Sequence, residues 1–385
     1  MRKLLCAASM LALTTLPAMA EPVKIGVITT LSGPAGYIGE QVRDAIQLAV
    51  DREGGKLGGV EVELVVEDDA LNPGTGRQIA EKMVSDEDIK VLTGIIFSNV
   101  SGAVVPDVVD NGAFYISSNA APSNLAGKEC HENYFVVSWQ NDSLHEATGV
   151  AAKSLGYKKA VALAPNYQAG KDAIAGFSRL FEGEVEEIYT QLDQTDFASE
   201  MARIRAANPE VVFQFHPGGL GLTFLKQYQQ SGLLGQVPMV VSEPSIDGVI
   251  LQAVGEGAVG IKGSTHWEVD FDNAASKEFV SSWKAKYPDR PITYYAQEAY
   301  DSALLIASAL AKAGSPEKAD DFREALRAAD FASTRGEFKF GPNQHPVQNW
   351  YLTEVVMGED GKPVGKSQGL IREMVGDVHA ADCKM

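Results

Sequence analysis

Residues 23–50 read VKIGVITTLSGPAGYIGEQVRDAIQLAV. Val23 to Thr29 is a short apolar strand, Ser32-Gly33-Pro34-Ala35-Gly36 is a turn, and Val42, Ile46, Ala49 and Val50 then recur at helical spacing until Gly54-Gly55. The strand–turn–helix unit repeats outward from there. Glu61 to Glu67 alternates charged and apolar residues as a strand does, and Pro73 to Val84 reads as a helix with proline near its start. Val91 to Ile96 and Ala113 to Ser117 are further apolar strands. Such alternation implies a parallel sheet with helices on both faces.

The pattern then starts afresh. Helices are expected at 143–155, 170–181, 198–207 and 222–230, and strands at 160–164, 185–189, 211–215 and 239–241. After His266 the character changes to long helices at 274–287 and 296–313, a shorter one at 322–328, and short closing strands that include 336–340 and 350–356. Two successive sets in 385 residues without a long linker predict two similar α/β lobes joined by short crossings. With 45% hydrophobic residues, both lobes have the material for a core.

Met1 to Ala20 reads as a secretory leader. Arg2 and Lys3 precede the apolar run Leu4–Leu16, and Ala18-Met19-Ala20 is a small-x-small cleavage site before Glu21. The alternative is a buried N-terminal helix. No later run approaches the ~20 apolar residues of a membrane span. The expected location is the periplasm, with no direct membrane insertion. A formal net charge of −18 argues against nucleic acid or an anionic membrane as partner. Cys130 and Cys383 alone follow the leader, and an oxidising compartment permits them to pair; two unrelated thiols are the alternative. The six histidines show no ligand spacing, so neither metal nor cofactor is expected.

Ligands of open parallel sheets bind beyond the carboxyl ends of the strands. The segments found there are Phe97-Ser98-Asn99, Ser117-Ser118-Asn119-Ala120, Pro165-Asn166-Tyr167, His216-Pro217-Gly218-Gly219 and Ser242-Glu243-Pro244. Hydroxyl and amide residues at helix N-termini suit a carboxylate, because free N–H groups and the helix dipole favour an anion; each is equally at home as a helix cap. Tyr37, Phe97, Trp139, Tyr167, Trp267, Tyr294 and Tyr295 offer rings for an apolar ligand body or for packing. The phosphate loop, the dinucleotide fingerprint and the nucleophile elbow are all missing: Gly33, Gly36 and Gly39 are evenly spaced, and Asp68-Asp69 lacks a nearby histidine.

Ile25-Gly26-Val27 running into Leu31-Ser32-Gly33-Pro34-Ala35, then Val66-Glu67-Asp68-Asp69-Ala70 with Pro73, Ile95 to Ser98, Ile116 to Leu125 and Tyr295-Ala296 form an ordered series. On these residues the mature chain resembles the type I periplasmic binding proteins of the leucine/isoleucine/valine-binding family over nearly its whole length. The resemblance implies two doubly wound parallel-sheet lobes joined by three hinge crossings, near Trp139–Gln140, Thr265–Trp267 and Arg335–Glu337. Lobe 1 is then 21–139 with 267–336, and lobe 2 is 140–266 with 337–385. It also implies a small carboxylate ligand held between the lobes and delivery to the permease subunits of an ABC importer.

By the same likeness Ser98 and the segment Asn119, Ala120, Ala121 hold the carboxylate, beside Phe97, Asn99 and Ser118. Tyr37 and Tyr167 wall the ligand, and Asp142 and Glu243 stand where amino-acid-binding members grip an ammonium group; Trp139, Pro217 and Trp267 are candidates beside them from their rings or their place after a strand. The hydroxyl residue expected near Ala121 is missing. Phe97–Asn99, Ser118–Ser123, Ser138–Asp142, Pro165–Lys171 and the ending Asp382-Cys383-Lys384-Met385 are similar to a branch that takes aromatic carboxylates. A hydrophobic amino acid and an aromatic acid are therefore both open as ligand. A sensory receptor on the same scaffold is a second class of function, and a periplasmic enzyme a third that lacks its catalytic groups.

Overall fold

The computed structural model describes residues 21–385, so the leader reading of 1–20 lies outside the described residues. In chain order the first part is β1 (Val23–Thr29), α1 (Gly36–Arg52), β2 (Lys56–Leu57), β3 (Val60–Asp68), α2 (Pro73–Glu81), β4 (Val91–Thr93), α3 (Ser98–Asp110), β5 (Phe114–Ser117), α4 (Ser123–Ala126) and β6 (Tyr134–Val136). These strands form one sheet in the order β2-β3-β1-β4-β5-β6, parallel except for the β2 edge. Ile25 sits between Leu64 and Val91 in register, and burial of such apolar rows on both faces is what a parallel sheet needs.

The chain then leaves this sheet. It forms α5 (Asn141–Ser154), β7 (Lys159–Pro165), α6 (Gln168–Phe181), β8 (Glu184–Thr190), α7 (Ala198–Ala207), β9 (Val211–Gln214), α8 (Gly218–Gln230), β10 (Met239–Ser242), α9 (Gly248–Val254) and β11 (Lys262–Thr265). It returns with α10 (Ala274–Lys286), α11 (Tyr294–Ala313) and α12 (Ala319–Ala328), which join the core of the first sheet. It ends in β12 (Lys339–Phe340), β13 (Pro346–Met357) and β14 (Pro363–Val375). The second sheet runs β12-β13-β11-β10-β9-β7-β8, with β14 on β13; β8 to β11 are parallel and the β13 pairings antiparallel. The chain thus passes between the sheets three times, after β6, after β11 and after α12.

The closing strands are not short. β13 and β14 are a hairpin of 12- and 13-residue strands. Gly365, Gly369 and polar Lys366, Ser367 and Gln368 interrupt the alternation of β14, and register shifts along the pair follow. Strand β4 stops at Thr93 because Gly94 turns with φ +103°, leaving Ile95 and Ile96 as buried loop. Helix α3 has no forecast counterpart, since four of its first eleven residues are valine and Pro106 lies inside it. Gly102, four residues before Pro106, leaves open space on that turn. Cys130 and Cys383 are paired as a disulfide, tying the chain end to the loop before β6.

Helices α5 and α6 pack backbone to backbone through two glycines. A Cβ on Gly149 would strike the Phe177 carbonyl oxygen, and one on Gly176 would meet Asp142 oxygen at 2.5 Å. Gly149→Ala is expected to cost about 1–3 kcal/mol by overpacking, read as a lower urea midpoint. A midpoint equal to wild type would show that the two helices part freely.

Candidate functional site

The carboxyl ends of both parallel sheets face one cleft. From the first sheet, the loop after β4 delivers Ile96, Phe97 and Ser98, and Ser98 opens α3. The residue before it, Phe97, supplies no side-chain cap, so the first N–H groups of α3 are left for another acceptor at the positive end of the helix dipole. After β5, Asn119 and Ala120 are pinned by hydrogen bonds: Asn119 Nδ2 donates to Ile96 oxygen at 2.7 Å, Ser117 Oγ to Ala120 oxygen at 2.7 Å, and Ser138 Oγ to Asn119 oxygen at 2.8 Å. From the second sheet come Tyr167 after β7, Phe215 and Pro217 after β9, and Pro244 after β10. Helix α5 presents Asn141, Leu144 and His145, one turn apart on one face.

Together with Trp139 and Tyr295 these residues line a tight cavity of about 30 Å³. Six of its fifteen lining residues carry aromatic rings. Tyr167 and Phe215 are stacked at 6.5 Å and 9°, and the His145 ring meets Phe215 edge-on at 4.7 Å. No Asp, Glu, Lys or Arg side chain lines it among the described residues.

Of the residues singled out in the sequence, the cavity brings together Phe97, Ser98, Asn119, Ala120, Trp139, Tyr167 and Pro217. The others stand elsewhere. Asn99 and Ser118 do not line it, and Ala121 donates its N–H to Asn141 Oδ1 at 3.3 Å. Tyr37 reaches across the cleft mouth instead, its hydroxyl donating to Asp247 Oδ2 at 2.5 Å. Trp267 gives its indole N–H to Ser276 Oγ at 2.9 Å. Asp142 points away from the cavity, accepting from Gln140, from Arg179 at 3.1 Å and from His379 at 3.0 Å. Burial opposes its charge, but those donors hold the carboxyl below its usual range.

Glu243 also fails to reach the cavity. Its Oε1 accepts from the His266 backbone and lies 2.8 Å from His266 Nδ1. Burial pushes Glu243 up to about 8 and drives His266 well down, so burial favours the neutral, hydrogen-bonded form of the pair. A wider hollow of about 440 Å³ lies beyond Glu243, lined by Glu243, Asp247, Glu268, Trp267, Tyr294 and Arg290 among others.

Three residues missed in the sequence are central. Asn141 Nδ2 contacts Ser98 Oγ at 3.1 Å and Asp172 Oδ2 at 3.0 Å. Asp172 in turn accepts from Ser123, at 3.1 Å from its N–H and 2.8 Å from its hydroxyl, so it clasps the first sheet's α4 to α6. His145 sits at the end of this face. Placing the helix start at Gln140, whose side chain accepts from Ser143 N–H, would have put Asn141 and His145 on one stripe. The lobes are in contact: Gly218 and Gly219 at the start of α8 lie against Ile38 and Pro34.

The buried acids set a pH dependence. Glu298, fully buried, is raised by burial like Glu243. From the ordinary glutamate value up to about 8, the folded chain holds protons that the unfolded chain has released, so stability falls as pH rises through that window. Buried His145 and His216, pushed down to about 3, act the opposite way, but only below the ordinary histidine value. Between roughly pH 6.5 and 8 the glutamates therefore dominate, at up to about 1.4 kcal/mol per group per pH unit. Thermal unfolding is expected at a higher temperature at pH 6.5 than at pH 8.5, with a smaller difference in Glu243→Gln. Equal slopes in both proteins would contradict the assignment.

Residues 22–362 match the family profile described as periplasmic binding protein. The chain is 29% identical over 368 residues to the Leu/Ile/Val-binding protein homolog 6 of Brucella melitensis, covering 93% of each. It is 32% identical to a solute-binding protein of an ABC transporter from R. palustris crystallised with benzoate, with a TM-score of 0.89 over 95% of this chain and 100% of that one. A second R. palustris solute-binding protein, in complex with 4-hydroxybenzoate, is 27% identical with a TM-score of 0.84, over 92% of this chain and 98% of that one.

Proposed function

Because this chain belongs to the periplasmic binding protein family, we propose that it is the solute-binding receptor of an ABC importer whose ligand is a small aromatic carboxylate without an ammonium group. The family consists of binding receptors, and this chain is one of them rather than an enzyme. The observation that carries the ligand class is the ring-lined cavity with no acidic side chain in its wall. A buried ammonium requires a paired carboxylate. Asp142 is committed to Arg179 and His379, and Glu243 is hydrogen-bonded to His266. A carboxylate finds what it needs in the Ser98 hydroxyl and the free N–H groups opening α3. The complexes of the two R. palustris proteins with benzoate and 4-hydroxybenzoate support this reading. A hydrophobic amino acid is the second reading, favoured by the name of the Brucella relative.

Segments 21–139 with 267–336 and 140–266 with 337–385 act as the two lobes and close on the ligand about the three crossings. The permease subunits then recognise the closed form, whose surface differs from the open one. The receptor works in the periplasm, to which the leader of residues 1–20 directs it. Among the described residues no helix is long and apolar enough to cross a membrane.

A thermal-shift screen of benzoates against branched-chain amino acids separates the two readings, because a ligand at ~100 times its Kd stabilises by about 2.7 kcal/mol. Benzoates are expected to raise the unfolding temperature and amino acids to leave it unchanged. By calorimetry Ser98→Ala should weaken benzoate binding about ten- to a hundredfold, since a charged hydrogen bond is worth roughly 1.5–3 kcal/mol. Glu243→Gln should leave it nearly unchanged. Stabilisation by leucine that is lost in Glu243→Gln would establish the amino-acid reading instead.

A further inference from the structure

We infer that residues 376–385 form a fourth crossing between the two lobes, a covalent strap that limits how far they open and thereby raises affinity for the ligand. The inference rests on the reading that the lobes close on a ligand, and deepens it.

β14 ends at Val375, paired with Gln348 of β13 in the second sheet. The chain then leaves that sheet and runs to the loop before β6 of the first, where Cys383 is bonded to Cys130. The disulfide thus adds a closed fourth pass to the three of the main chain. The segment is tied on both sides. On the side of the second sheet, His379 Nε2 lies 3.0 Å from Asp142 Oδ2 in the first turn of α5. On the side of the first, a Cβ on Gly127 would lie 3.6 Å from the Cβ atoms of both His379 and Asp382. Asn343 Nδ2 contacts Ala126 oxygen and Asp377 Oδ2, each at 2.8 Å, and so joins the root of the strap to the end of α4.

Burial does not account for this path. None of residues 376–385 is buried, and Val378 and Met385 are 47% and 48% exposed. A chain end so exposed is held only by its ties. Those ties fall on the elements that clasp the lobes: α4, whose Ser123 reaches Asp172, and the start of α5, where Asn141 reaches Ser98. Moving these elements apart draws on the chain between His379 and Cys383. That stretch holds slack, because residues 380–382 are wound as a 3-10 turn. At ~2 Å per residue wound and at most ~3.5 Å extended, it lengthens by about 6 Å before a tie must break. Opening is therefore permitted but bounded. Without the strap the ligand-free lobes would visit a wider range of angles. Time spent at angles that cannot grip the ligand lowers the apparent affinity in proportion.

The test lengthens the strap without cutting it. A flexible Gly-Ser linker of about six residues is inserted between His379 and Ala380 of the full, oxidised chain. A second variant, Cys130→Ser with Cys383→Ser, removes the bond. Small-angle scattering without ligand should give a larger radius of gyration in both variants than in wild type. With saturating benzoate all three should share one radius. Calorimetry should find benzoate bound about threefold or more weaker in both variants. The linker variant keeps the disulfide and adds little to so long a loop, so its unfolding temperature should stay near wild type. A ligand-free radius in the linker variant equal to that of wild type would overturn the strap, as would wild-type affinity in both variants. A wild-type radius that bound benzoate leaves unchanged would instead sink the closing reading, and this inference with it. If benzoate does not bind wild type, the aromatic-carboxylate reading falls, and the ligand-free radii still decide the strap.

Discussion

A strand of a parallel sheet cannot turn straight back into its neighbour, and the whole site depends on that constraint. Each strand must leave its carboxyl end through a loop and a helix before the next can begin. In both sheets the consequence is a row of loop ends and helix starts along one edge, and the two edges face each other. The segments after β4, β5, β7, β9 and β10 all reach the same cavity for this reason, although up to 148 positions separate Ile96 from Pro244. Topology gathers the residues; their chemistry then decides what is held.

That chemistry is governed by how charge is disposed around the cavity rather than in it. Asp142, Asp172, Glu243 and Asp247 all lie buried close to the cleft, yet none lines the cavity. Each is answered elsewhere: Asp142 by Arg179 and His379, Asp172 by Ser123, Asn141 and Gln168, Glu243 by His266, and Asp247 by Tyr37 and the first turn of α9. Within the wall, hydroxyls, amides and helix N–H groups remain. An anion can be held by such groups without a counter-cation, because the donors need no reorganisation and the helix end carries partial positive charge. The arrangement is thus complementary to one negative charge and indifferent or hostile to a positive one.

The alternation of strands and helices was legible in the sequence, because period-two and period-3.6 apolar patterns survive wherever a segment has one buried side. β1 and α7 fall where the pattern puts them. Helix α3 was hidden by its valines and by Pro106, which read as strand and break. Ser98, Asn119 and Tyr167 were legible because position after a strand suffices to place them at the edge. Asp142 and Glu243 were not, since their position relative to the cleft is correct but the direction of the side chain is set by partners far away in sequence. His379 is 237 residues from Asp142, and no local pattern announces that contact. Asn141 and His145 were missed for the opposite reason: they are ordinary helix residues until the helix start is fixed.

The same distinction explains how a small ligand can govern two large lobes. Contacts that span the cleft include Tyr37 to Asp247, Asn141 to Ser98, Ala121 to Asn141, and Ser123 to Asp172 and Gln168. In an open form each of these groups would exchange its partner for water, so each contributes only on the order of 1 kcal/mol to closure. The approach of α8 to the first lobe adds little more, since Gly218 and Gly219 keep it close only by presenting no side chain; a Cβ on Gly219 would come within 2.8 Å of Pro34. If the lobes open and close, a ligand shifts that equilibrium only by its differential affinity for the two forms. The bond from Asn141 ties the two together: it reaches the hydroxyl of Ser98, the group proposed to hold the ligand carboxylate, and Asn141 also holds Asp172. On the proposed reading, a carboxylate accepting from Ser98 would polarise that hydroxyl and strengthen its bond from Asn141, which also holds Asp172 at the clasp between α4 and α6.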